Sequence, residues 1–374
     1  MATITIDALP LLAEGGISNY VRPFTHALLE QNESHAIRLL FRLGRRRQRR
    51  ERYAAYRRRR PATSERDLLV SLPDRLVRLL WCSPWSLPPP CGAGRSEYFL
   101  ATTELLPRWR RVRKVQIVYD LNPLRLPQFF RLDHAAFRRA RERQAAACEL
   151  IIAISRSTQQ DVIELLRVPE EKTLLLYPGP PQLAGPAPEA ELAVQPERPY
   201  ILYIGALALN KNVDGLLRIF ARCVHEHGLD YHLYLTGKDF LGEEFRDRLL
   251  GELRLGGRVH FLSWIPEAHL VRYLLEARML WLFSWYEGFG LPVLEAACRG
   301  TPVLCSNRGS LPEILAAPEQ LIDPDQEEEA AAYAARVCRD DALLAAWARR
   351  ARERARCFSW ERSAAALLAW FNAH

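Results

Sequence analysis

Met279-Leu280-Trp281-Leu282-Phe283-Ser284-Trp285-Tyr286-Glu287-Gly288-Phe289-Gly290-Leu291-Pro292-Val293-Leu294-Glu295 compresses three elements into seventeen residues. The apolar run 279–283 reads as a strand. A glycine-containing turn follows, and a helix is predicted to start near Leu291, with Pro292 in its first turn. Glycines at 288 and 290 let backbone N–H groups approach a ligand closely. The helix N-terminus behind them favours phosphate. Glu287, in the turn, can accept hydrogen bonds from sugar hydroxyls. Glu295, about one turn into the helix, can reach a second hydroxyl pair such as a ribose diol. Taken alone, the pattern fits equally a structural turn with two surface carboxylates.

Outward from this stretch the same alternation recurs. Strands are predicted at 200–204, 232–235, 259–262 and 302–305, with helices from 212, over 242–254, over 267–276 and over 291–298, and a final helical region from about 326. Upstream, strands are predicted at 3–8, 36–42, 98–101, 114–119, 150–154 and 173–176, with a Gly-rich loop at 14–17 and a helix over 18–31. Such alternation marks βαβ units and parallel sheets. The Pro-rich stretch 180–199 reads as a linker. Two doubly wound lobes joined this way leave a cleft, with ligands at the carboxyl ends of the strands.

Composition narrows the class. The chain has 374 residues, 49% hydrophobic and 26% charged, ordinary for a globular protein of about two domains. No apolar run approaches a membrane span, and the N-terminus reads as a strand and not as a signal peptide. Eight cysteines form no Cys-x-x-Cys and fit scattered buried thiols in a reducing cytosol. Residues 1–190 carry 31 Lys and Arg against 19 Asp and Glu, a net +12; residues 191–374 carry 21 against 25, a net −4. The basic half includes the arginine clusters 45–50 and 57–60. They read either as an exposed basic face or disordered loop, or as a contact for an anionic membrane surface, a lipid-pyrophosphate or a polyanionic glycan. Trp81, Trp85 and Pro88 to Pro90 lie nearby, for an interface or for core packing. No nucleic-acid recognition module is legible.

The segment from Glu287 to Glu295 resembles the Glu-x7-Glu motif of glycosyltransferase family 4, the retaining GT-B enzymes. The likeness continues through Ala296, Gly300, Thr301, Pro302, Val303, Asn307, Pro312 and Glu313. It extends to the strand 201–204 ending at Gly205, to Asn210-Lys211-Asn212, to Ile265-Pro266, to the run 151–157 and to Gly15-Gly16-Ile17-Ser18-Asn19-Tyr20-Val21-Arg22. Phe358-Ser359-Trp360-Glu361-Arg362 is similar to the family's closing segment. The resemblance implies an α/β GT-B fold of two Rossmann-like lobes with an interdomain cleft. The first lobe, 1–185, would take the acceptor, and the second, 186–355, the nucleotide-sugar. A C-terminal helix within 356–374 would return to the first lobe.

The resemblance also implies roles. Glu287 would bind donor-sugar hydroxyls, and the amides of Gly288, Phe289, Gly290 and Leu291 would line the sugar and phosphates. Glu295 would bind the ribose. Lys211, beside Asn210, would neutralise the diphosphate and stabilise the leaving group. Gly205 would end a strand next to the phosphates, and Gly15 and Gly16 would let the first lobe's loop close over them. Three departures stand out. Asn210 precedes Lys211 and Ala206 follows Gly205 where many members have Arg beside Lys. Tyr119-Asp120 replaces a frequent His-Asp. Pro178-Gly179 replaces a frequent Asn-Gly. Tyr119 can offer a hydroxyl but no imidazolium charge, and Asp120 is either a sugar contact or a loop-fixing residue.

No Asp-x-Asp lies between apolar strands, so neither metal nor cofactor is expected. The expected reaction is retaining transfer of a hexose or deoxyhexose, with GDP-mannose the leading donor, to a glycan or lipid-linked acceptor. Bacterial surface polysaccharides, lipopolysaccharide among them, are the expected setting. The protein would be cytoplasmic, with a peripheral membrane contact through Arg45–Arg60, and would bind no nucleic acid. A noncatalytic nucleotide-sugar or glycan-binding protein on the same fold, and an epimerase or hydrolase, are the alternatives. Asp239, Phe240 and Trp264 are candidates for the wall that selects the base, against packing or surface roles.

Overall fold

The structure, a computed structural model, describes residues 1–44, 46–59, 67–82, 92–181, 185–186, 188, 194–196, 199–263 and 265–374. Arg45, Arg60, Trp85, Pro88 to Pro90, Trp264 and much of 180–199 lie outside the described residues. The chain divides into two compact units. Unit 1 comprises Met1–Leu124, Leu132–Gly179 and Ser359–His374; unit 2 comprises Arg125–Arg131 and Pro180–Phe358.

Unit 1 holds seven strands: β1 (Thr3–Asp7), β2 (Ala36–Arg42), β3 (Leu68–Val70), β4 (Tyr98–Ala101), β5 (Arg113–Val118), β6 (Leu150–Ala153) and β7 (Thr173–Leu175). They lie in the order β3-β2-β1-β4-β5-β6-β7, and every pairing is parallel. The order reverses between β1 and β4, so the Gly15 loop after β1 starts at a topological switch point. The closing helix Trp360–Ala373 belongs to this unit. Trp360 packs edge-on against Tyr20 of the helix Gly16–Gln31, centroids 5.0 Å apart, and Ser363 Oγ donates to the Tyr177 carbonyl at 2.6 Å.

Unit 2 holds β8 (Tyr200–Ile204), β9 (His232–Thr236), β10 (Val259–Phe261), β11 (Met279–Leu282), β12 (Val303–Ser306) and β13 (Leu321–Ile322), in the parallel order β10-β9-β8-β11-β12-β13. This is the doubly wound order, and its switch point lies between β8 and β11. Met279–Leu282 is buried throughout, as a parallel strand covered on both faces must be. The helix Val213–His225 follows β8 and buries Val213, Leu216, Leu217 and Phe220 at helical spacing. Phe220 meets Trp281 edge-on, centroids 6.3 Å apart.

The arginine clusters contribute one helix, Arg47–Arg59, not a loop. Tyr53 and Tyr56 hold it, their rings 4.9 and 5.6 Å from that of Phe41. The Tyr53 hydroxyl donates to Asp67 Oδ2 at 2.8 Å, and Arg49 pairs with Asp74 at 2.8 Å. Arg46, Arg47, Arg50, Arg57 and Arg58 remain exposed. Trp81 is a core residue, edge-on to Trp109 at 5.0 Å, which is the core-packing alternative of its two readings. The seven described cysteines are free thiols. Among the described residues no helix is long and apolar enough to cross a membrane.

Candidate functional site

The residues singled out in the second half of the sequence gather at the switch point of unit 2. At the end of β8, the buried Tyr203 donates its hydroxyl to the Ala206 carbonyl at 2.8 Å. A Cβ on Gly205 would lie 2.8 Å from that hydroxyl, and one on Gly237, at φ 144°, would lie 1.9 Å from the Gly205 carbonyl oxygen. The backbones that leave β8 and β9 therefore touch, and only glycine fits.

The chain then makes one short turn, Leu209–Lys211, and passes through Asn212 at φ 54°. Asparagine tolerates this left-handed region better than most residues. Asn212 is fully buried, and its Nδ2 donates to the Phe283 carbonyl at 2.9 Å. That bond clips the loop after β8 to the end of β11. It also fixes Lys211, whose Nζ donates to Glu287 Oε2 at 2.7 Å. The side chains of Lys211 and Glu287 are 19% and 14% exposed, so the pair is mostly but not wholly withdrawn from solvent.

The other carboxylate oxygen of Glu287 accepts from Ser284 Oγ at 2.8 Å, and the Ser284 carbonyl accepts from Ser306 Oγ at 2.6 Å. Behind the turn, Ser310 Oγ sits 2.9 Å from the Glu287 carbonyl and 2.7 Å from that of Phe289. The glutamate thus has both oxygens and its backbone held. Burial, and then the negative charge of Glu287, push the Tyr203 hydroxyl well above its ordinary range.

Gly290, at φ 101°, opens the helix Leu291–Arg299. That helix has Pro292 in its first turn, no side-chain cap and no acidic residue there. Its positive end is uncompensated and suits an anion. Gly288 and Phe289 are buried in the same turn. Glu295 is 6% exposed, and no hydrogen bond to its carboxylate occurs among the described residues. Burial pushes its pKa up to about 7, Arg299 opposing and Glu267 adding to the shift. A pair of hydroxyl donors would offset that cost of desolvation.

The unit 1 residues behave differently. Gly15, at φ 115°, and Gly16 open the helix Gly16–Gln31, and nothing lies within 4 Å of a Cβ built on either. The Tyr119 hydroxyl donates to the Thr102 carbonyl at 2.9 Å, and its ring meets Tyr20 edge-on at 5.6 Å. Burial, Tyr20 and Asp7 raise its pKa well above the usual value. Its proton is committed to the backbone. Asp120 Oδ1 accepts from the Asn122 backbone N–H at 3.0 Å, a loop-fixing bond. Tyr119 and Asp120 also border a cavity of about 140 Å³ with Ile17, Thr103 and Gln116.

Asp239 fixes its own loop through the Leu241 and Gly242 amides, while Phe240 is exposed under Lys238. One Asp-x-Asp does occur, Asp323-Pro324-Asp325 after β13, and Arg308 pairs with both carboxylates at 2.6 Å. Tyr203, Gly237, Ser284 and Ser310 are site residues that the sequence reading did not single out, and Asn212 was quoted only within the resemblance, with no role. Only Ser284 carried a signal, as the first polar residue after the apolar run.

Residues 188–354 match the family model described as glycosyl transferases group 1. The chain is 27% identical over 262 residues to the O-antigen chain mannosyltransferase B of Escherichia coli, covering 67% of this chain and 68% of that one. It is 30% identical over 181 residues to a GDP-mannose-dependent alpha-(1-6)-phosphatidylinositol dimannoside mannosyltransferase of Mycobacterium tuberculosis, covering 48% of this chain but only 45% of that one. Among solved structures, Anabaena HepE in complex with UDP and glucose superposes with a TM-score of 0.73 at 17% identity, covering all of both chains. The fold is therefore GT-B, and the matched segment and the names of its relatives support a glycosyltransferase.

Proposed function

We propose that the chain is a family 4, retaining, metal-independent glycosyltransferase that moves a hexose or deoxyhexose from a nucleoside diphosphate to a glycan or lipid-linked acceptor in surface-polysaccharide synthesis. The observation that carries the reading is the Lys211–Glu287 pair, seated with Ser284 at the switch point of unit 2 ahead of an acid-free helix N-terminus. Mannose from GDP-mannose is the leading donor, because the two curated relatives above are named mannosyltransferases. HepE was solved with UDP and glucose, which keeps a UDP-sugar as the competing donor.

In this reading Glu295 accepts from the ribose diol and Glu287 from the sugar hydroxyls. The amides of Gly288, Phe289, Gly290 and Leu291 line the sugar and phosphates, beside Gly205 and Asn210. The acceptor oxygen bonds to the anomeric carbon on the face from which the diphosphate departs. The carbon–oxygen bond to the β-phosphate breaks, and the acceptor proton passes to that departing phosphate. Lys211 and the helix amides stabilise the growing negative charge. The exposed arginines of Arg47–Arg59 would rest on an anionic leaflet, each contributing about 1 kcal/mol.

Tyr119 motivates the second reading, a noncatalytic nucleotide-sugar binder, since its proton is spent on Thr102. One experiment separates the two. The purified chain is incubated with GDP-mannose, UDP-glucose, a dTDP-sugar or an ADP-sugar, each with EDTA and a lipid-linked or glycan acceptor fraction. Release of nucleoside diphosphate with an α-linked product from one donor supports transfer. Thermal stabilisation by one donor without any product would favour the binder, and no response to any nucleotide would sink both.

A further inference from the structure

A second cavity lies in unit 1 away from the carboxyl ends of the strands. It measures about 490 Å³ and is bordered by Arg108, Arg110, Lys114, Arg143 and Gln144, with Leu106 and Pro107 on its apolar side. Lys114 is the second residue of β5, and residues 106–110 belong to the connection leading into that strand. The neighbouring Ala147 precedes β6. The cavity therefore sits at the amino ends of β5 and β6, under the last turns of the helix His134–Ala146. Tyr119 and Asp120 follow the opposite end of β5.

The charge of this cavity is one-sided. Among the described residues four cations border it and no carboxylate does. None of the four makes a salt bridge or a side-chain hydrogen bond among the described residues. By contrast, three other arginines of this unit are paired: Arg42 with Asp7, Arg49 with Asp74, Arg113 with Glu149. Glu104, whose backbone carbonyl accepts from the lining Gln144, has its carboxylate paired with Arg141, and Glu149, two residues beyond Ala147, is paired with Arg113. Lys114 is half-buried, and burial lowers its pKa, with only Cys148 opposing. Uncompensated cations around a concavity repel one another, and an anion relieves that repulsion. Guanidinium forks match phosphate oxygens in bidentate fashion, and an ammonium adds a point charge.

We infer that this cavity is a second anion site, binding a phosphate group attached to an apolar or ring-bearing body. The volume exceeds what a bare phosphate needs and falls within the range of small-molecule pockets. Leu106, Pro107, Ala140 and Ala147 supply an apolar wall that an inorganic ion would leave unused. The source of the phosphate is either a soluble phosphorylated metabolite or the headgroup of an anionic lipid. The site is separate from the phosphate-binding role given to Lys211, and it stands if the transfer reaction is something else.

The test uses the full chain in 150 mM salt, with inorganic pyrophosphate as the soluble probe and phosphatidylglycerol vesicles as the lipid probe. Four proteins are compared: wild type, Lys211→Ala, Arg108→Ala/Arg143→Ala, and Arg143→Glu. Both arginines are exposed, so their removal should leave the melting temperature unchanged. The expected result is calorimetric pyrophosphate binding that survives Lys211→Ala and weakens at least tenfold in the arginine variant. Vesicle binding with the same dependence, and no pyrophosphate binding, would assign the site to a lipid headgroup and keep the proposal. Arg143→Glu should abolish binding of either probe. Binding of both probes unchanged in the arginine variants, or pyrophosphate binding lost only with Lys211→Ala, would overturn the proposal.

Discussion

Lys211 Nζ donates to Glu287 Oε2 across 2.7 Å, so the cation assigned to the diphosphate and the carboxylate assigned to the sugar neutralise each other before any donor arrives. A donor must supply both with new partners: oxyanions for the lysine, hydroxyls for the glutamate. Removing one partner leaves the other charge in a largely buried position. Lys211→Ala should therefore cost about 1–3 kcal/mol of stability, which denaturant unfolding will measure. It should also lower turnover by about 10²–10³. Glu287→Gln added to that variant should restore stability without restoring turnover. Recovery of turnover together with stability would mean that Lys211 acts only by packing against Glu287.

Glu295 gives a pH prediction of definite sign. Its pKa of about 7 in the folded chain lies above the ordinary 4.5 of the unfolded chain. The folded state therefore holds a proton that the unfolded state has lost between these values. The group destabilises the fold progressively from pH 4.5 to about 7, and fully above that. Glu295→Gln should match wild type near pH 4.5 and be more stable at pH 8, by up to about 3 kcal/mol. Nucleotide binding supplies hydroxyl donors to the ionised carboxylate. Nucleotide affinity of the wild type should rise with pH through 7, and that of Glu295→Gln should stay flat. Calorimetric titration at pH 6 and pH 8 reads both.

The α/β alternation was legible because parallel strands covered on both faces are written as short apolar runs, and 279–283 and 200–204 are such runs. The short strands β3 and β13, of three and two residues, were not anticipated. The helix Arg47–Arg59 was also missed. Its arginines fill the solvent side, and the two tyrosines that dock it on Phe41 are too few to set a period. In the site, Glu287, Glu295 and Lys211 were legible through the resemblance. Tyr203 and Ser310 were not, because each acts on residues brought near by the sheet or by a turn, and a lone serine or tyrosine carries no sequence signal for that. The Asp-x-Asp at 323–325 shows the converse: a legible pair whose carboxylates Arg308 already holds.

Tyr119 tests whether the departure from His-Asp is chemical or structural. Its hydroxyl bonds the Thr102 carbonyl at 2.9 Å, and Thr102 Oγ1 in turn donates to the Asp7 carbonyl at 2.5 Å. Tyr119→Phe leaves the Thr102 carbonyl short of one donor and should cost about 1–2 kcal/mol. Turnover at a temperature well below the melting point should change less than threefold. A fall of 10²-fold or more with an unchanged melting temperature would show that the hydroxyl serves the reaction and not the strand ends.

Gly290 and Gly16 separate glycines that the fold requires from glycines that a ligand would require. Gly290 sits at φ 101°, and a Cβ there would come within 2.5 Å of Leu311 Cδ2. Alanine would meet both backbone strain and a clash that Leu311 can only partly relieve. Gly290→Ala should lose about 1–3 kcal/mol of stability, and donor binding should fall with the distorted turn. Gly16 has no left-handed φ and nothing within 4 Å of a built Cβ. It opens a sixteen-residue helix, where alanine restricts the unfolded chain more than glycine does. Gly16→Ala should therefore keep or gain up to about 1 kcal/mol. If the Gly15-Gly16 loop must approach the diphosphate closely, the same variant will lose donor affinity while its melting temperature holds or rises. A stabilised variant with undiminished affinity would remove Gly16 from the donor site and leave its role as a helix start.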